Sequence, residues 1–169
     1  GNQKNQSVMK RTIFFTAAFL SFLGLMESRA QNMQNNRNME KLKLTEEWDK
    51  TFPKSDKVDH SKVTFVNRFG ITLAADLYVP KIAVADKFPA IAVSGPFGAV
   101  KEQSSGLYAQ TLAERGFLTI AFDPSFTGES SGQPRSVALP DINTEDFSAA
   151  VDYLATRPDV DAERIGILG

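Results

Sequence analysis

Three continuous apolar segments constrain the fold of this chain more than any other feature. They read FPAIAVSG (residues 88–95), FLTIAF (117–122) and RIGIL (164–168). Apolar runs without polar alternation are typical of strands that are buried on both faces of a sheet. Because helical patterns separate the three segments, the sequence predicts parallel strands joined by right-handed crossover helices. The predicted fold class is therefore α/β.

A β-hairpin is predicted ahead of these strands. Residues 62–67 (KVTFVN) and 71–80 (ITLAADLYVP) are rich in β-branched residues and show alternation, and a short segment that ends in Gly70 joins them. Such a pattern indicates two antiparallel strands connected by a tight turn. The hairpin is expected to add antiparallel strands to one edge of the parallel sheet.

The first crossover helix is expected to start at a cap provided by Ser104 or Ser105 and to end at Arg115. Gly116 follows, where a left-handed C-cap is wanted. The apolar and small side chains that are expected to share one face of this helix are Leu107, Tyr108, Thr111 and Leu112.

The second crossover helix is expected to start at a cap provided by Asn143 and to end at Arg157 and Pro158. Its apolar residues recur with helical spacing and predict a buried face made of Phe147, Ala150, Val151 and Leu154.

The N-terminal segment has the pattern of a secretory signal peptide, which we place at Met9 to Ala30. Lys10 and Arg11 precede an apolar run over residues 12–26, and Ser28 and Ala30 supply small residues at the −3 and −1 positions of a cleavage site. The run is shorter than the ~20 residues that a membrane span needs. We therefore expect cleavage after Ala30, no stable membrane anchor afterwards, and export to the periplasm or the medium; an uncleaved anchor is the alternative.

The chain thus divides into four segments. Residues 1–8 precede the start at Met9 and are interpreted as an upstream extension or as residues introduced by cloning. Residues 9–30 are the signal peptide, residues 31–61 are a polar extension, and residues 62–169 form an α/β domain. The polar extension is expected to begin disordered. Its second half carries apolar residues that predict a short helix lying against the domain, with Trp48 as a packing anchor; these residues are Leu42, Leu44, Trp48 and Phe52.

Composition argues against several classes of function. The formal net charge of −1 does not provide the basic surface that phosphate binding needs, so nucleic acid is not an expected partner. The chain has no cysteine and one histidine, which disfavours disulfides and the common zinc sites. No strand is followed by G-x-G-x-x-G and no Walker A loop occurs. No metal and no cofactor is expected.

Two loops follow the first two apolar strands, at the sheet edge where ligands bind in open α/β sheets. The first reads SGPFGAVKEQS (residues 94–104) and the second DPSFTGESSGQPR (123–135). The order of elements and these loops resemble the α/β-hydrolase superfamily, most closely its dienelactone-hydrolase-like and Xaa-Pro-peptidase-like branches. The resemblance covers residues 62–169, which would be the N-terminal half of such a domain.

The resemblance implies a hydrolase of esters or related small-molecule acyl substrates that works through an acyl-enzyme. DAERIGILG (residues 161–169) looks like the strand that enters the nucleophile elbow, a G-x-S-x-G-type turn. The nucleophile, the acid and the histidine would then all follow Gly169, and the chain by itself would be inactive. The alternative is a non-catalytic binding or interaction protein that has kept the fold and lost the triad. Substrate, Ser or Cys nucleophile, lid and oligomeric state stay open.

The same resemblance assigns one part of the oxyanion hole to this chain. In the family, the loop after the first buried strand contributes a backbone N–H to the hole. Many relatives have His-Gly before the donor, whereas this chain has Ser94-Gly95-Pro96, and proline has no N–H. We expect the amide of Phe97 to be the donor, with Gly98 as runner-up, and Pro96 to fix the turn; a plain Gly/Pro turn is the alternative.

The second loop is similar to the family's D-x-R-G-x-G-x-S stretch, but Ser125 and Phe126 replace the arginine and the first glycine. Asp123 is expected to brace the loop by accepting backbone N–H bonds, with Gly128 as the second structural residue. Phe126 is a candidate for lining the substrate pocket, and packing on the sheet is an equal alternative.

His60 and the loop serines invite assignment to a catalytic site, but simpler roles are expected. The family histidine comes last in the chain, whereas His60 precedes the first strand of the predicted domain, so we interpret His60 as a surface residue in a polar loop. A serine becomes a nucleophile only beside a base. The serines that we interpret as turn formers, caps and loop hydroxyls are Ser94, Ser104, Ser105, Ser125, Ser130 and Ser131.

Overall fold

The computed structural model describes residues 39–82 and 86–169. The predicted upstream extension and signal peptide lie outside the described residues. Among the helices of the described part, none has both the length and the apolar character that crossing a membrane requires.

The fold is a mixed five-stranded sheet with a helix on each face. Its elements, in chain order, are β1 (Val58–Val66), β2 (Thr72–Pro80), β3 (Phe88–Val93), α1 (Ser104–Ala113), β4 (Leu118–Phe122), α2 (Pro140–Ala155) and β5 (Val160–Leu168). The strands lie in the order β1-β2-β4-β3-β5. β1 and β2 form an antiparallel hairpin, β2 is antiparallel to β4, and β3 is parallel to both β4 and β5. The predicted α/β class, the leading hairpin and the three parallel strands are confirmed.

Each face of the sheet buries its own apolar cluster. The larger cluster lies under α2 and contains aromatic and aliphatic side chains, including Phe65, Leu73, Leu77, Leu118, Ile120, Phe122, Ala150 and Leu154. The smaller cluster lies under α1 and consists of Val58, Tyr78, Val93, Ala109, Ala113 and Ala121. Strands that are covered on both faces explain why β3 and β4 have continuous apolar sequences.

The face of α1 on which the sequence analysis places Leu107 and Tyr108 is not the face that the helix buries. Leu107 and Tyr108 are exposed by 46% and 61%, and the helix buries small residues such as Gly106 and Ala109 instead. The reason is close packing: a Cβ atom on Gly106 would lie 2.2 Å from the carbonyl oxygen of Lys101 and 3.0 Å from the ring of Phe52. Only glycine fits there, so the helix is turned about its axis relative to the apolar pattern.

The predicted helix starts also differ from the structure. α1 follows Gln103, which makes no side-chain capping bond, so Ser104 is the first helical residue rather than a cap. α2 begins at Pro140, whose fixed φ favours the first turn of a helix, and Asn143 lies inside that turn. The left-handed conformation predicted for Gly116 is confirmed by its φ of +100°.

Residues 39–57, which we call the strap, form no helix, so the short helix expected there is wrong. The strap instead makes its hydrogen bonds to the domain: Thr51 N donates to Glu102 O at 3.0 Å, and Ser55 N donates to Gln110 Oε1 at 3.1 Å. Trp48 does act as a packing anchor, because its ring lies 5.7 Å from that of Phe52 and Phe52 is buried. The strap backbone is therefore held by partners on the domain rather than by helical hydrogen bonds.

The outer strands extend beyond their predicted starts. β1 begins at Val58, so the boundary drawn between residues 61 and 62 falls inside this strand. β5 begins at Val160 and pairs with β3 along one side only, within the described residues. Ile167 of β5 is 62% exposed. β5 is therefore an edge strand in this structure.

Candidate functional site

The site is built at the carboxyl ends of β3, β4 and β5. Residues 94–103, which we call the β3 loop, leave β3, and residues 123–139, the β4 loop, leave β4. Ser94 N donates to Leu168 O at 3.0 Å, which places the start of the β3 loop directly beside the end of β5. The fold thus brings the first candidate loop against the strand that the resemblance connects to the nucleophile.

The β3 loop opens with a tight turn. Ala99 N donates to Pro96 O at 3.0 Å, so Phe97 and Gly98 are the two central residues of the turn. Gly98 has a φ of +84°, as the third residue of a type II turn requires. Within residues 39–82 and 86–169, the amides of Phe97 and Gly98 donate to no protein acceptor. The turn therefore leaves two N–H groups available, and the role predicted for Phe97 stays a prediction.

Asp123 holds both loops. Its carboxylate is fully buried at the end of β4. Oδ1 accepts a hydrogen bond from Lys101 N at 2.8 Å, and Oδ2 accepts one from Glu129 N at 2.9 Å. Asp123 therefore accepts two backbone N–H bonds, one from each loop.

Gly128 allows the β4 loop to fold back onto this carboxylate. A Cβ atom on Gly128 would lie 2.2 Å from Asp123 Oδ2, and the φ of Gly128 is +54°. Both the close approach and the left-handed backbone require glycine.

Phe126 lies inside the β4 loop. Its side chain is 5% exposed, and its ring approaches Gly132 so closely that a Cβ there would lie 2.6 Å from Phe126 Cδ1. Its backbone has a φ of +70° and is held by Phe126 N donating to Ser131 O and Ser136 N donating to Phe126 O. The ring supports the loop from within, and a pocket-lining role for it stays a prediction.

Lys101 is a fully buried cation between the two loops. Its Nζ lies 2.6 Å from Glu102 Oε1, 2.7 Å from Asp123 Oδ2 and 2.8 Å from Glu129 Oε2. Burial alone would lower the pKa of Lys101, but the charge of Asp123 and the hydrogen bonds to the three carboxylates raise it above its ordinary value. Lys101 therefore stays protonated.

Glu129 is the matching anion. Burial would raise the pKa of Glu129, but hydrogen bonds from Lys101, Lys62 and the amide of Thr45 lower it to about 2. Those donors come from the β3 loop, β1 and the strap. A single carboxylate on the β4 loop thus connects three other parts of the chain.

The ionic cluster continues under the strap. Lys62 Nζ lies 2.7 Å from Glu129 Oε2 and 3.4 Å from Asp49 Oδ2. Asp49 Oδ1 lies 2.6 Å from Lys50 Nζ, which lies 3.0 Å from the fully buried Asp76 Oδ2. Buried charges are costly unless they are paired, and each of these groups has an opposite charge within contact distance.

His60 is not the surface loop residue that the sequence analysis predicted. It lies in β1, opposite Tyr78 in β2, and its side chain is only 13% exposed. Nε2 lies 2.8 Å from Asp76 Oδ1, and its ring lies 5.1 Å from that of Trp48. The prediction failed because β1 starts earlier than expected, which puts His60 on the face of the strand that the strap covers.

The loop serines bind backbone groups or a buried carboxylate. Ser130 Oγ donates to Asp123 O at 2.7 Å and accepts from Ala74 N at 2.9 Å, while Ser131 Oγ accepts from Thr72 N at 2.9 Å. Ser94 Oγ lies 3.4 Å from Phe122 O. These hydroxyls attach the β4 loop and the end of β3 to neighbouring strands, as expected of structural serines.

Sequence reasoning missed Asp146, which braces the other side of the β4 loop. This fully buried carboxylate of α2 accepts from Ser125 N at 2.8 Å, from Ser125 Oγ at 2.7 Å and from Asn67 Nδ2 at 2.8 Å. Asn67 Oδ1 in turn accepts from the amides of Phe69 and Ile71 in the hairpin turn. An acidic residue on a helix resembles a solvated one in sequence, so no signal marked it.

Comparison with known proteins decides the family. The model of the X-Pro dipeptidyl-peptidase (S15) family matches residues 70–169. The chain belongs to this family. The match begins at the hairpin turn and includes the β3 loop, the β4 loop and β5. Membership confirms the predicted resemblance to the α/β-hydrolase superfamily.

Individual proteins are also similar to this chain. Protein PA2218 of Pseudomonas aeruginosa is 62% identical over 162 residues, which are 94% of this chain and 43% of that protein. Its crystal structure matches with a TM-score of 0.75 and 72% identity, over 77% of this chain and 40% of that chain. The thiohydrolase aneE of Aspergillus aculeatus is 34% identical over 65% of this chain and 33% of its own length.

A solved relative carries the fold in its name. The α/β-hydrolase GrgF from Penicillium sp. sh18 matches with a TM-score of 0.58 and 26% identity, over 64% of this chain and 36% of that chain. The chain therefore has an α/β-hydrolase fold. It spans less than half of the length of each of these relatives.

Proposed function

We propose that this chain is the N-terminal part of an exported hydrolase that cleaves esters or related acyl substrates through an acyl-enzyme. The observation that carries the proposal is the turn at residues 96–99, whose two central amides donate to no acceptor among the described residues and lie in the loop beside the end of β5. The family match and the short share of each relative that the chain covers support the proposal of a longer hydrolase.

The proposed chemistry divides between this chain and the residues that follow β5. A serine or cysteine after Gly169 attacks the carbonyl carbon, and its proton passes to a histidine further along the chain. The carbonyl oxygen becomes an oxyanion, which accepts hydrogen bonds from Phe97 N–H and from the N–H after the nucleophile. The leaving group departs with the proton from the histidine, and water then hydrolyses the acyl-enzyme.

The substrate class rests on the relatives. The name of aneE, a thiohydrolase, supports an acyl substrate with a sulfur leaving group. The family description, X-Pro dipeptidyl-peptidase, names a peptide substrate. Both reactions form an acyl-enzyme by way of an oxyanion, so the contribution proposed for Phe97 applies to either.

Replacing Phe97 by proline tests the proposal, because proline removes the N–H and keeps the chain length. In the longer protein, Phe97→Pro should lower kcat/KM for a p-nitrophenyl ester by about 10²–10³-fold, the usual loss for one oxyanion donor. Phe97→Ala is the matched control: it keeps the N–H, and the ring that it removes is 71% exposed. Its turnover should be close to that of the parent.

The thermal transition of both variants should match that of the parent, which separates a lost donor from a lost fold. Full turnover in Phe97→Pro would move the role to Gly98 or to neither residue. A parent protein that turns over no ester, thioester or X-Pro peptide would favour the non-catalytic alternative.

A further inference from the structure

Lys101 is the fully buried charged residue of the β3 loop. The proposed chemistry gives it no role. Its side chain is 0% exposed, and its Nζ contacts carboxylates of the β3 loop itself, of the end of β4 and of the β4 loop. An apolar residue would fill the same space without three charged partners. The arrangement therefore needs another explanation than core packing.

We propose that Lys101 is a positioning residue. It attaches the β3 loop to Asp123 and Glu129 and thereby holds the turn at residues 96–99 in the orientation that oxyanion binding requires. The inference rests on the proposed function, because it assigns a task to the loop that would bind the oxyanion.

The clamp has two points of attachment on one carboxylate. Lys101 N donates to Asp123 Oδ1 at 2.8 Å, and Lys101 Nζ lies 2.7 Å from Asp123 Oδ2. Two bonds from one residue to one rigid acceptor fix both the position and the direction of the backbone. Asp123 itself is fixed at the end of β4, where its N–H donates to Ala74 O at 3.0 Å.

The turn is therefore held between two anchors. On its N-terminal side, Ser94 N is bound to Leu168 O of β5; on its C-terminal side, Lys101 is bound to Asp123. The residues between these anchors include Pro96, Phe97 and Gly98, all of which are exposed. Because the turn has little packing of its own, its orientation depends on the anchors.

Net stability does not explain the buried charge. Removing several charges from water costs free energy that their mutual attraction only partly offsets, and buried ion pairs can often be replaced by apolar residues without loss of stability. A displacement of about 1 Å at a reacting centre, in contrast, can cost about 10²-fold in rate. The ion pairs of Lys101 are therefore better explained by precise positioning of the β3 loop than by a gain in stability.

The test compares Lys101→Met with Lys50→Met in the longer protein. Lys50 is the matched control, because its side chain is also 0% exposed and pairs with two carboxylates, Asp49 and Asp76, neither of which contacts Lys101. Lys101→Met should lower kcat for a p-nitrophenyl ester by about 10–10²-fold and change KM by less than about 3-fold. Lys50→Met should keep the kcat of the parent at temperatures where it is folded.

Hydrogen exchange supplies a readout that does not depend on activity. The Ala99 amide, which closes the turn, should exchange at least about 10-fold faster in Lys101→Met than in the parent, and at the parental rate in Lys50→Met. If the parent turns over no substrate, the proposed function fails while this measurement still tests the clamp.

Unchanged kcat together with unchanged exchange in a folded Lys101→Met variant would overturn the inference, and so would equal losses in both variants. If Lys101→Met does not fold, Glu129→Gln replaces it, since this change keeps the shape and removes one charge that faces Lys101 Nζ. Glu129→Gln should also lower kcat several-fold; a kcat equal to that of the parent would overturn the inference.

Discussion

At the scale of single residues, the carboxylate of Asp123 leaves no space for a side chain at position 128. Gly128→Ala should destabilise the protein by about 3 kcal/mol, because the added Cβ would lie 2.2 Å from Asp123 Oδ2 and the backbone φ is +54°. Gly70→Ala is the matched control: its φ is +78°, but nothing lies within 4 Å of the added Cβ. It should cost only about 1 kcal/mol, the price of the left-handed backbone.

Chemical denaturation of the parent and the two variants measures this difference. Equal losses for both glycines would show that contact with Asp123 does not contribute. The roles of Asp123 and Gly128 could be foreseen from the family's loop pattern, whereas those of Lys101 and Asp146 could not. A buried Lys101 and an exposed lysine look alike in sequence, since only the tertiary fold brings Asp123 and Glu129 to its ammonium group.

At the scale of elements, Glu129 joins the strap, β1 and the two loops, and this predicts a pH dependence. The pKa of Glu129 is lowered in the folded protein from its ordinary value of 4.5 to about 2. Above pH 4.5 both states are ionised and the stabilisation is fully present. As the pH falls from there towards 2, the unfolded state binds a proton that the folded state does not, so stability is lost.

Glu129→Gln should therefore lower the free energy of unfolding by about 2 kcal/mol at pH 7 and converge with the parent near pH 2. Urea titrations across this pH range measure both curves. Glu163→Gln, at an exposed position on β5, is the control and should change stability by less than about 0.5 kcal/mol. If the free energies of unfolding of the parent and Glu129→Gln differed by the same amount at every pH, the lowered pKa of Glu129 would be contradicted.

The elements themselves could be predicted to very different degrees. β3 and β4 have continuous apolar sequences because both faces are covered, and that signal is local. The orientation of α1 depends on the contact between Gly106 and Phe52 of the strap, which are distant in sequence. The strap has no periodicity of its own, because its backbone bonds go to Glu102 and Gln110.

At the scale of the whole molecule, β5 is the exposed element. Among the described residues it pairs only with β3, and Ile167 is 62% exposed beside Leu168 at 39%. Unpaired edges with apolar side chains promote association. We expect a polypeptide of residues 31–169 to be poorly soluble or partly ordered and to be inactive; Ile167→Lys should increase its monomeric fraction.

Light scattering with size-exclusion chromatography measures that fraction. Tyr108→Lys, at an exposed position on α1, adds the same charge away from β5 and should not have this effect. A monomeric polypeptide with one cooperative unfolding transition would contradict the expectation.

The central claim is that the strand β5 leads into the nucleophile of an acyl-transferring hydrolase, and trapping the acyl-enzyme tests it most directly. The longer protein is mixed with a p-nitrophenyl ester, quenched in acid within one turnover, and digested for mass spectrometry. The account predicts one acyl group on a serine or cysteine within the first few residues after Gly169, and less of it in Phe97→Pro. Acylation confined to a residue before Gly169, or no acylation at all, would contradict it.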